Sequence, residues 1–275
     1  MPKFTVIIPT FNRSYCISNA INSVLNQTFD DYELIVIDDG STDNTKEVVL
    51  SQLSAKYYYQ ENKGVSAARN YGAALAQGDW LVFLDSDDEL IFNTLTLLGN
   101  SIDPIHNVIK GSYRILRKNR RSLVNHEAFI PGTFTIKRDF FQSLNGYDEN
   151  IKYAENTELF FRVKQNAGQI KYLSEILVNY HASEHGGSKN RKQQTNALLF
   201  ILEKHQEFLT NHVKFLYNQI IGVNYLRAGL LKKGRTFLIK ALFYKPFKLK
   251  TYLRLLIGCS RKLSQYVYRN HNNQA

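Results

Sequence analysis

The sequence predicts an α/β fold: a mostly parallel central sheet flanked by helices, with a helical extension at the C-terminal end. Three observations predict it. Short apolar runs rich in β-branched, aromatic and leucine residues recur through the first part of the chain, segments with helical spacing separate them, and the chain beyond residue 190 turns helical in period and strongly basic.

In order, the runs at residues 4–8, 34–38, 57–60 and 81–84 have the composition of strands buried on both faces. Between the first two, Ile17, Ala20, Ile21, Val24 and Leu25 fall at i, i+3, i+4, i+7 and i+8, one apolar stripe to lay against a sheet. A second helix follows Ser41 or Asp43, either of which suits an N-cap, and a third runs over residues 64–76. Strand–helix alternation of this kind implies parallel pairing through right-handed crossovers. After the fourth run the pattern changes. Strands are expected at 109–116 and 132–136, then helices at 138–144 and near 157–163. Residues 195–275 are helical in pattern, with Leu226, Leu230, Leu231, Phe237, Leu238 and Leu242 supplying apolar faces. The stretch 225–246 resembles one tetratricopeptide unit, and a single repeat builds no solenoid.

Composition bounds these expectations. The 275 residues, 44% hydrophobic, suffice for one large core or a core plus a smaller unit, which excludes a disordered or fibrous chain. Cys16 and Cys259 lie far apart without metal-ligand spacing, so neither a disulfide framework nor a thiolate site is expected, and a reducing compartment fits. Residues 1–25 show no signal-peptide pattern, and Lys or Arg interrupts every apolar stretch after position 200, short of the ~18 apolar residues that span a bilayer. The net charge of +11 is unevenly placed: residues 1–190 hold 19 Lys and Arg against 22 Asp and Glu, whereas residues 191–275 hold 16 against 2. That asymmetry, with the polar stretch 186–195, divides the chain into a domain at 1–190 and a basic helical region at 191–275.

In open α/β sheets ligands bind beyond the carboxyl ends of the strands. Here those ends are Pro9-Thr10-Phe11-Asn12-Arg13, Asp38-Asp39-Gly40-Ser41 and Asp85-Ser86-Asp87-Asp88. Asp-Gly-Ser alone is a common turn. Crowded carboxylates at a strand end are another matter: like charges raise one another's energy unless a cation compensates, and oxygen ligands select a hard ion such as Mg²⁺ or Mn²⁺. No G-x-G-x-x-G follows the first strand and no Walker A sequence occurs, which removes dinucleotide and P-loop readings. A haloacid-dehalogenase-type phosphatase also carries D-x-D after a strand, but in its first strand and with Thr or Val where this chain has Glu89.

The segments VIIPTFNR, ELIVIDDGSTDNT, NKGVSAARNYGAALAQGDWLVFLDSDDEL and NGYDE, in this order and spacing, resemble the nucleotide-binding half of glycosyltransferase family 2 over about residues 3–190. The resemblance implies a GT-A fold, a nucleotide diphosphate sugar donor, UDP-linked, and Mn²⁺ or Mg²⁺ at a D-x-D motif. By position, Thr10 and Asp39 would contact base and ribose, Asp39 accepting from the pyrimidine N3 hydrogen, with Pro9, Phe11 and Arg13 in the same binding turn. Lys63, Gly64 and Arg69 would border the nucleotide and its phosphates. Asp85 would face the ribose or donor sugar, and Asp87 would ligate the metal. His181 and His185 lie where the family often supplies a histidine to metal or diphosphate; spacing to Ser188 favours His185.

One position departs from the family. Its inverting members carry Glu-Asp ahead of a helix, the Asp taking the acceptor's proton; here the pair is Glu155-Asn156, and a carboxamide accepts no proton at neutral pH. Glu155 is then the expected base, with Glu158 second at i+3. The alternative is a catalytically weak or silent domain that still binds nucleotide sugars. For the basic tail the order of preference is an anionic membrane surface, a solvated cap on the first domain, and last nucleic acid. The resemblance implies a glycan or lipid-linked acceptor of bacterial surface polysaccharide synthesis, and a cytoplasmic protein peripheral on the inner face of the membrane.

Overall fold

The structure, a computed structural model, describes residues 1–116, 123–125, 128–182 and 190–269. The chain divides into two compact units, Met1–Gly186 and Gly187–Ala275.

The first unit opens with β1 (Phe4–Thr10), α1 (Ile17–Leu25), β2 (Tyr32–Asp38), α2 (Thr45–Leu50), β3 (Ala55–Tyr59), α3 (Val65–Leu75) and β4 (Trp80–Phe83). It continues with β5 (Glu89–Leu90), α4 (Thr94–Ser101), β6 (Val108–Leu116), β7 (Leu123–Asn125), β8 (Phe134–Lys137), α5 (Arg138–Ser143), α6 (Glu155–Gln165) and β9 (Ile170–His181). One sheet runs in the order β3-β2-β1-β4-β8-β6-β9-β5, with β7 on β6. Pairing is parallel from β3 to β4, as the alternation requires. Beyond β4 it is mixed: β8 is antiparallel to β4 and β6, and β9 is parallel to β6.

Every side chain of β1 is buried, and the two faces divide between two cores. Val6, Ile8, Leu34 and Val36 pack with Ile17, Ile21 and Val24 of α1, while Ile7, Ile35 and Ile37 pack with Ala68 and Ala73 of α3 and with Phe83, Phe141 and Phe160. Two covered faces explain why these strands read as unbroken apolar runs. Helix α3 sits so close that a Cβ at Gly72 would stand 2.5 Å from the Ile7 side chain. The strand order reverses between β1 and β4, which leaves a crevice at their carboxyl ends.

The second unit comprises α7 (Arg191–Lys204), α8 (Asn211–Arg227), α9 (Leu231–Tyr244), α10 (Leu249–Cys259) and α11 (Arg261–Arg269). Helix α8 ends in a Schellman turn: Leu230 N–H donates to the Tyr225 carbonyl and Gly229 N–H to that of Leu226, with Gly229 at φ 77°. Helices α8 and α9 then meet glycine to glycine, since a Cβ on either Gly222 or Gly234 would lie 3.0 Å from the other's carbonyl oxygen. Leu226, Leu238, Ile257 and Tyr268 form one buried cluster of this unit, and Leu198, Ile201, Phe215 and Ile221 are buried in it as well. Among the described residues no helix is long and apolar enough to cross a membrane.

Candidate active site at the carboxyl edge of the sheet

The loops after β1 and β2 are stitched to each other by their own polar residues. Asn12, at φ 52°, donates its N–H to Ser41 Oγ and accepts the Thr42 N–H on Oδ1, at 2.9 and 2.8 Å. Ser14 N–H reaches Asp43 Oδ2 at 3.1 Å and Arg13 N–H reaches Thr45 Oγ1 at 2.9 Å. Ser41 is therefore a loop-to-loop clamp rather than a helix cap. Asp43 accepts the Thr45 N–H while the N-cap position itself is Asn44.

This clamp fixes the predicted nucleotide-binding residues. Pro9 and Thr10 close β1, buried, and Phe11 follows, about half exposed. Thr10 Oγ1 is buried without a hydrogen-bond partner among the described residues. Asp39 donates its N–H to the Thr10 carbonyl at 2.8 Å. Its carboxylate is held by three donors: Gln60 Nε2 at 2.7 Å and Lys63 N–H at 2.8 Å on Oδ1, and Gly64 N–H at 2.8 Å on Oδ2. Gly64 is at φ 95°, ψ 163°, a conformation essentially restricted to glycine, and this turns both amides inward. A carboxylate offers about four acceptor positions, so one of Asp39's remains for a ligand donor.

The loop after β4 brings the acids. Asp85 accepts Arg69 Nη2 at 2.6 Å, and Arg69 is buried above the Tyr147 ring, 5.2 Å from its centroid, with Nε and Nη1 unpartnered among the described residues. Asp87 lies 3.9 Å from Arg13 Nη2. Burial first, and then the charge of Asp85, push the Asp87 carboxyl up, against the pull of Arg13 and His181. Asp88 is nearly inaccessible; burial, with Asp85 adding, pushes its carboxyl up to about 9, and Oδ1 accepts the backbone N–H of His181 at 2.8 Å. His181 Nε2 is buried and stands 3.2 Å from Glu89 Oε1 without hydrogen-bond alignment. His185 lies outside the described residues.

Among the described residues no three His, Cys, Asp or Glu side chains are grouped to hold a metal alone. Asp85 and Asp87, each about a third exposed, nevertheless suit a hard cation: Mg²⁺ is typically held by one or two carboxylates and takes the remaining oxygens from water and phosphate. The upward push on Asp87 comes first from burial and then from the charge of Asp85, and a cation there would offset both.

Opposite these acids stands the start of α6. Ala154 occupies its N-cap in the left-handed region, φ 59°, ψ 30°, which costs an alanine on the order of 1–2 kcal/mol and sets the direction of Glu155. Burial raises the Glu155 carboxyl, Arg69 pulls it down and Asp85 adds to the rise, so Glu155 shares the field of the Arg69–Asp85 pair. Asn156 is buried, and its Oδ1 accepts the Tyr147 hydroxyl at 2.8 Å. Glu158 is directed elsewhere. Fully buried, it accepts Arg162 Nη2 at 2.6 Å and Nε at 3.0 Å, while Arg162 Nη1 donates to the Leu144 carbonyl.

A bracket with no role in the sequence expectations ties these parts together. Asn70 of α3 accepts the Tyr147 N–H at 2.8 Å and donates to the Tyr147 carbonyl and Glu149 Oε1, both at 2.9 Å. The NGYDE turn is thereby pinned to the helix that carries Arg69. Its Tyr147 spans from the Arg69 guanidinium to Asn156.

Residues 5–177 match the family described as Glycosyl transferase family 2. The chain belongs to this family. A relative from Campylobacter jejuni, named GalNAc(5)-diNAcBac-PP-undecaprenol beta-1,3-glucosyltransferase, is 43% identical over 104 residues, 36% of this chain and 34% of its own length. The minor teichoic acid biosynthesis protein GgaB of Bacillus subtilis is 30% identical over 225 residues, covering 70% of this chain and 24% of its own. The chain thus spans about a third and a quarter of these relatives. The crystal structure of S. aureus TarS 1-349 in complex with UDP-GlcNAc superposes with a TM-score of 0.67 at 19% identity, over 99% of this chain and 92% of that one. The fold of this family 2 chain is the GT-A fold.

Proposed function

We propose that the chain transfers a sugar from a UDP-linked donor to a glycan or lipid-linked acceptor in bacterial surface polysaccharide synthesis, with inversion at the anomeric carbon. The observation that carries the reading is the Asp39 carboxylate, held by three donors beside the unpartnered Thr10 hydroxyl, at the edge where Asp85 and Asp87 converge. Family membership supports the reaction class. The names of these relatives support an undecaprenol-linked or teichoic-acid-type acceptor, and the UDP-GlcNAc bound by TarS supports a uridine donor.

In this reading Thr10 and Asp39 bind the base, with Pro9, Phe11 and Arg13 walling the turn, and Lys63, Gly64 and Arg69 border the diphosphate. Asp87, with Asp85, would hold Mn²⁺ or Mg²⁺, joined by His181 or His185. Such an ion would neutralise charge on the departing nucleotide diphosphate. Glu155 takes the acceptor hydroxyl proton on its carboxylate; a carboxyl raised by burial is the stronger base for that task. Glu158, neutralised by Arg162, keeps a packing role. Residues 1–190 carry the transfer chemistry. The protein works in the cytoplasm at the inner face of the membrane.

Asn156 favours a second reading, a domain that binds nucleotide sugars with weak or no turnover. The test incubates the full chain with a panel of nucleotide sugars, with Mn²⁺, with Mg²⁺ and with chelator, reading donor hydrolysis and product mass. Metal-stimulated release of UDP supports the transfer reading. UDP binding without turnover on any donor supports the second, and absence of UDP binding overturns both.

A further inference from the structure

Helix α10 is apolar on two sides. Its inner side packs in the second unit, where Ile257 joins the core, a Cβ at Gly258 would touch Leu226 at 3.0 Å, and Thr251 Oγ1 accepts Gln219 Nε2 at 2.6 Å. Its outer side presents Leu249, Tyr252, Leu253 and Leu256 at i, i+3, i+4 and i+7, all exposed. The stripe continues into the preceding corner through Phe247, 95% exposed, and Phe243 in the last turn of α9, 89% exposed. Scattered surface apolar residues are ordinary, but six within fourteen positions form a patch that marks an interaction surface.

Charge says what kind. After Glu207 the sequence contains no Asp or Glu and 13 Lys and Arg. Lys248 and Lys250, both exposed, interleave with the apolar stripe, on stems long enough to lie along apolar surface while their charged ends reach outward, whereas Lys245 turns to His212. Nothing acidic in this part of the chain neutralises them. A second copy of the chain would bring the same unopposed positive charge against this face, which disfavours a self-interface. Nucleic acid would meet the cations and stack bases on Phe243, Phe247 and Tyr252, but it offers no apolar medium to the contiguous Leu249, Leu253 and Leu256. An anionic bilayer answers both features, phosphates for the cations and the acyl boundary for the stripe.

We propose that the α9–α10 corner of the C-terminal unit is a docking surface for an anionic lipid bilayer. It assigns a surface to the membrane placement proposed above. It is read without donor or acceptor, so its failure leaves the transfer reading intact.

The experiment sediments the full-length chain with vesicles of phosphatidylglycerol and phosphatidylcholine, and with phosphatidylcholine alone, at low and high salt. Two double variants accompany it, Phe247→Ser with Leu253→Ser and Lys248→Glu with Lys250→Glu; all four side chains are exposed, and circular dichroism checks the fold. Expected is salt-sensitive binding to the anionic vesicles. It should weaken on the order of tenfold for each apolar side chain withdrawn and at least about fivefold for each lysine removed. No binding of the native chain to anionic vesicles overturns the proposal. So does unchanged binding by the apolar variant, the pattern of a polyanion site, for which an oligonucleotide run in parallel would then compete. A change of oligomeric state in the apolar variant, with vesicle binding intact, would instead identify a second copy as the occupant and equally overturns it.

Discussion

Replacing Asp39 by Asn tests the geometry at the centre of the site. The carboxylate accepts three N–H groups, two on Oδ1 and one on Oδ2. An asparagine keeps its volume and can turn its carbonyl oxygen toward Gln60 and Lys63. Its amide then faces the Gly64 N–H, donor against donor. One charge-assisted hydrogen bond is lost, and hydrogen bonds to charged groups contribute about 1.5–3 kcal/mol. A cost of about 2–3 kcal/mol lowers Tm by about 4–12 °C in a chain of this size. The variant also loses the charged acceptor proposed for the uracil N3–H, so UDP affinity should fall on the order of tenfold or more. Differential scanning calorimetry and titration calorimetry with UDP read the two effects. Asp39→Ala, which loses all three bonds, should lie lower still in Tm. Unchanged Tm and unchanged UDP affinity in Asp39→Asn would refute the reasoning, and a lowered Tm with intact affinity would leave Asp39 as a purely structural residue.

Asp87→Ala should abolish metal-stimulated donor turnover while leaving the unfolding transition in place, because a partly exposed loop carboxylate contributes little packing; retained Mn²⁺ stimulation would refute the metal assignment. Glu155→Gln should lower transfer by at least about a hundredfold with donor affinity kept. In the native chain a base must be ionised, and burial places this carboxyl above the usual glutamate value, so kcat/KM should rise with pH through an acidic limb above 4.5 that the variant lacks. The same raised value means that the folded chain loses stability as pH climbs through it, and Tm profiles of the variant should be flatter there. Ala154→Gly should relieve the left-handed backbone and raise Tm by a few degrees while slowing transfer; a lower Tm would mean that position 154 is unstrained.

The parallel half of the sheet was legible because β1, β2 and β4 are covered on both faces and cannot avoid continuous apolar runs. Strand β9 was not: its IKYLSEILVNYH mixes polar and apolar residues without strict alternation, and much of it is only partly buried. Strands β5 and β7, two and three residues long, are too short to show a period. The acids at the strand ends were visible as residues but not as chemistry. The upward push on Asp88 comes first from burial, and His181, whose N–H it accepts, lies 93 residues on. Glu158 did carry a warning, since Arg162 stands at i+4 and such a pair can neutralise it. The Asn70–Tyr147 bracket joins residues 77 apart and left no local trace.

The unpartnered Thr10 hydroxyl connects stability to binding in a way one substitution can separate. A buried polar group without a partner costs about 1–3 kcal/mol, and such groups are rare in folded chains unless something else supplies the bond. Thr10 sits under the Asp39 amide at the mouth of the β1–β4 crevice, where the proposed nucleotide would reach it. Thr10→Val keeps the side-chain shape and removes only the hydroxyl. The unliganded chain should therefore gain about 1 kcal/mol, raising Tm by about 2–4 °C, while UDP binding weakens by about two- to tenfold through the loss of one neutral hydrogen bond. The two changes have opposite signs, which few packing defects would produce. A lower Tm in Thr10→Val would show that the hydroxyl is already satisfied in the unliganded protein. A higher Tm with unaltered UDP affinity would show that the orphaned oxygen faces away from the nucleotide, and Thr10 would then leave the site.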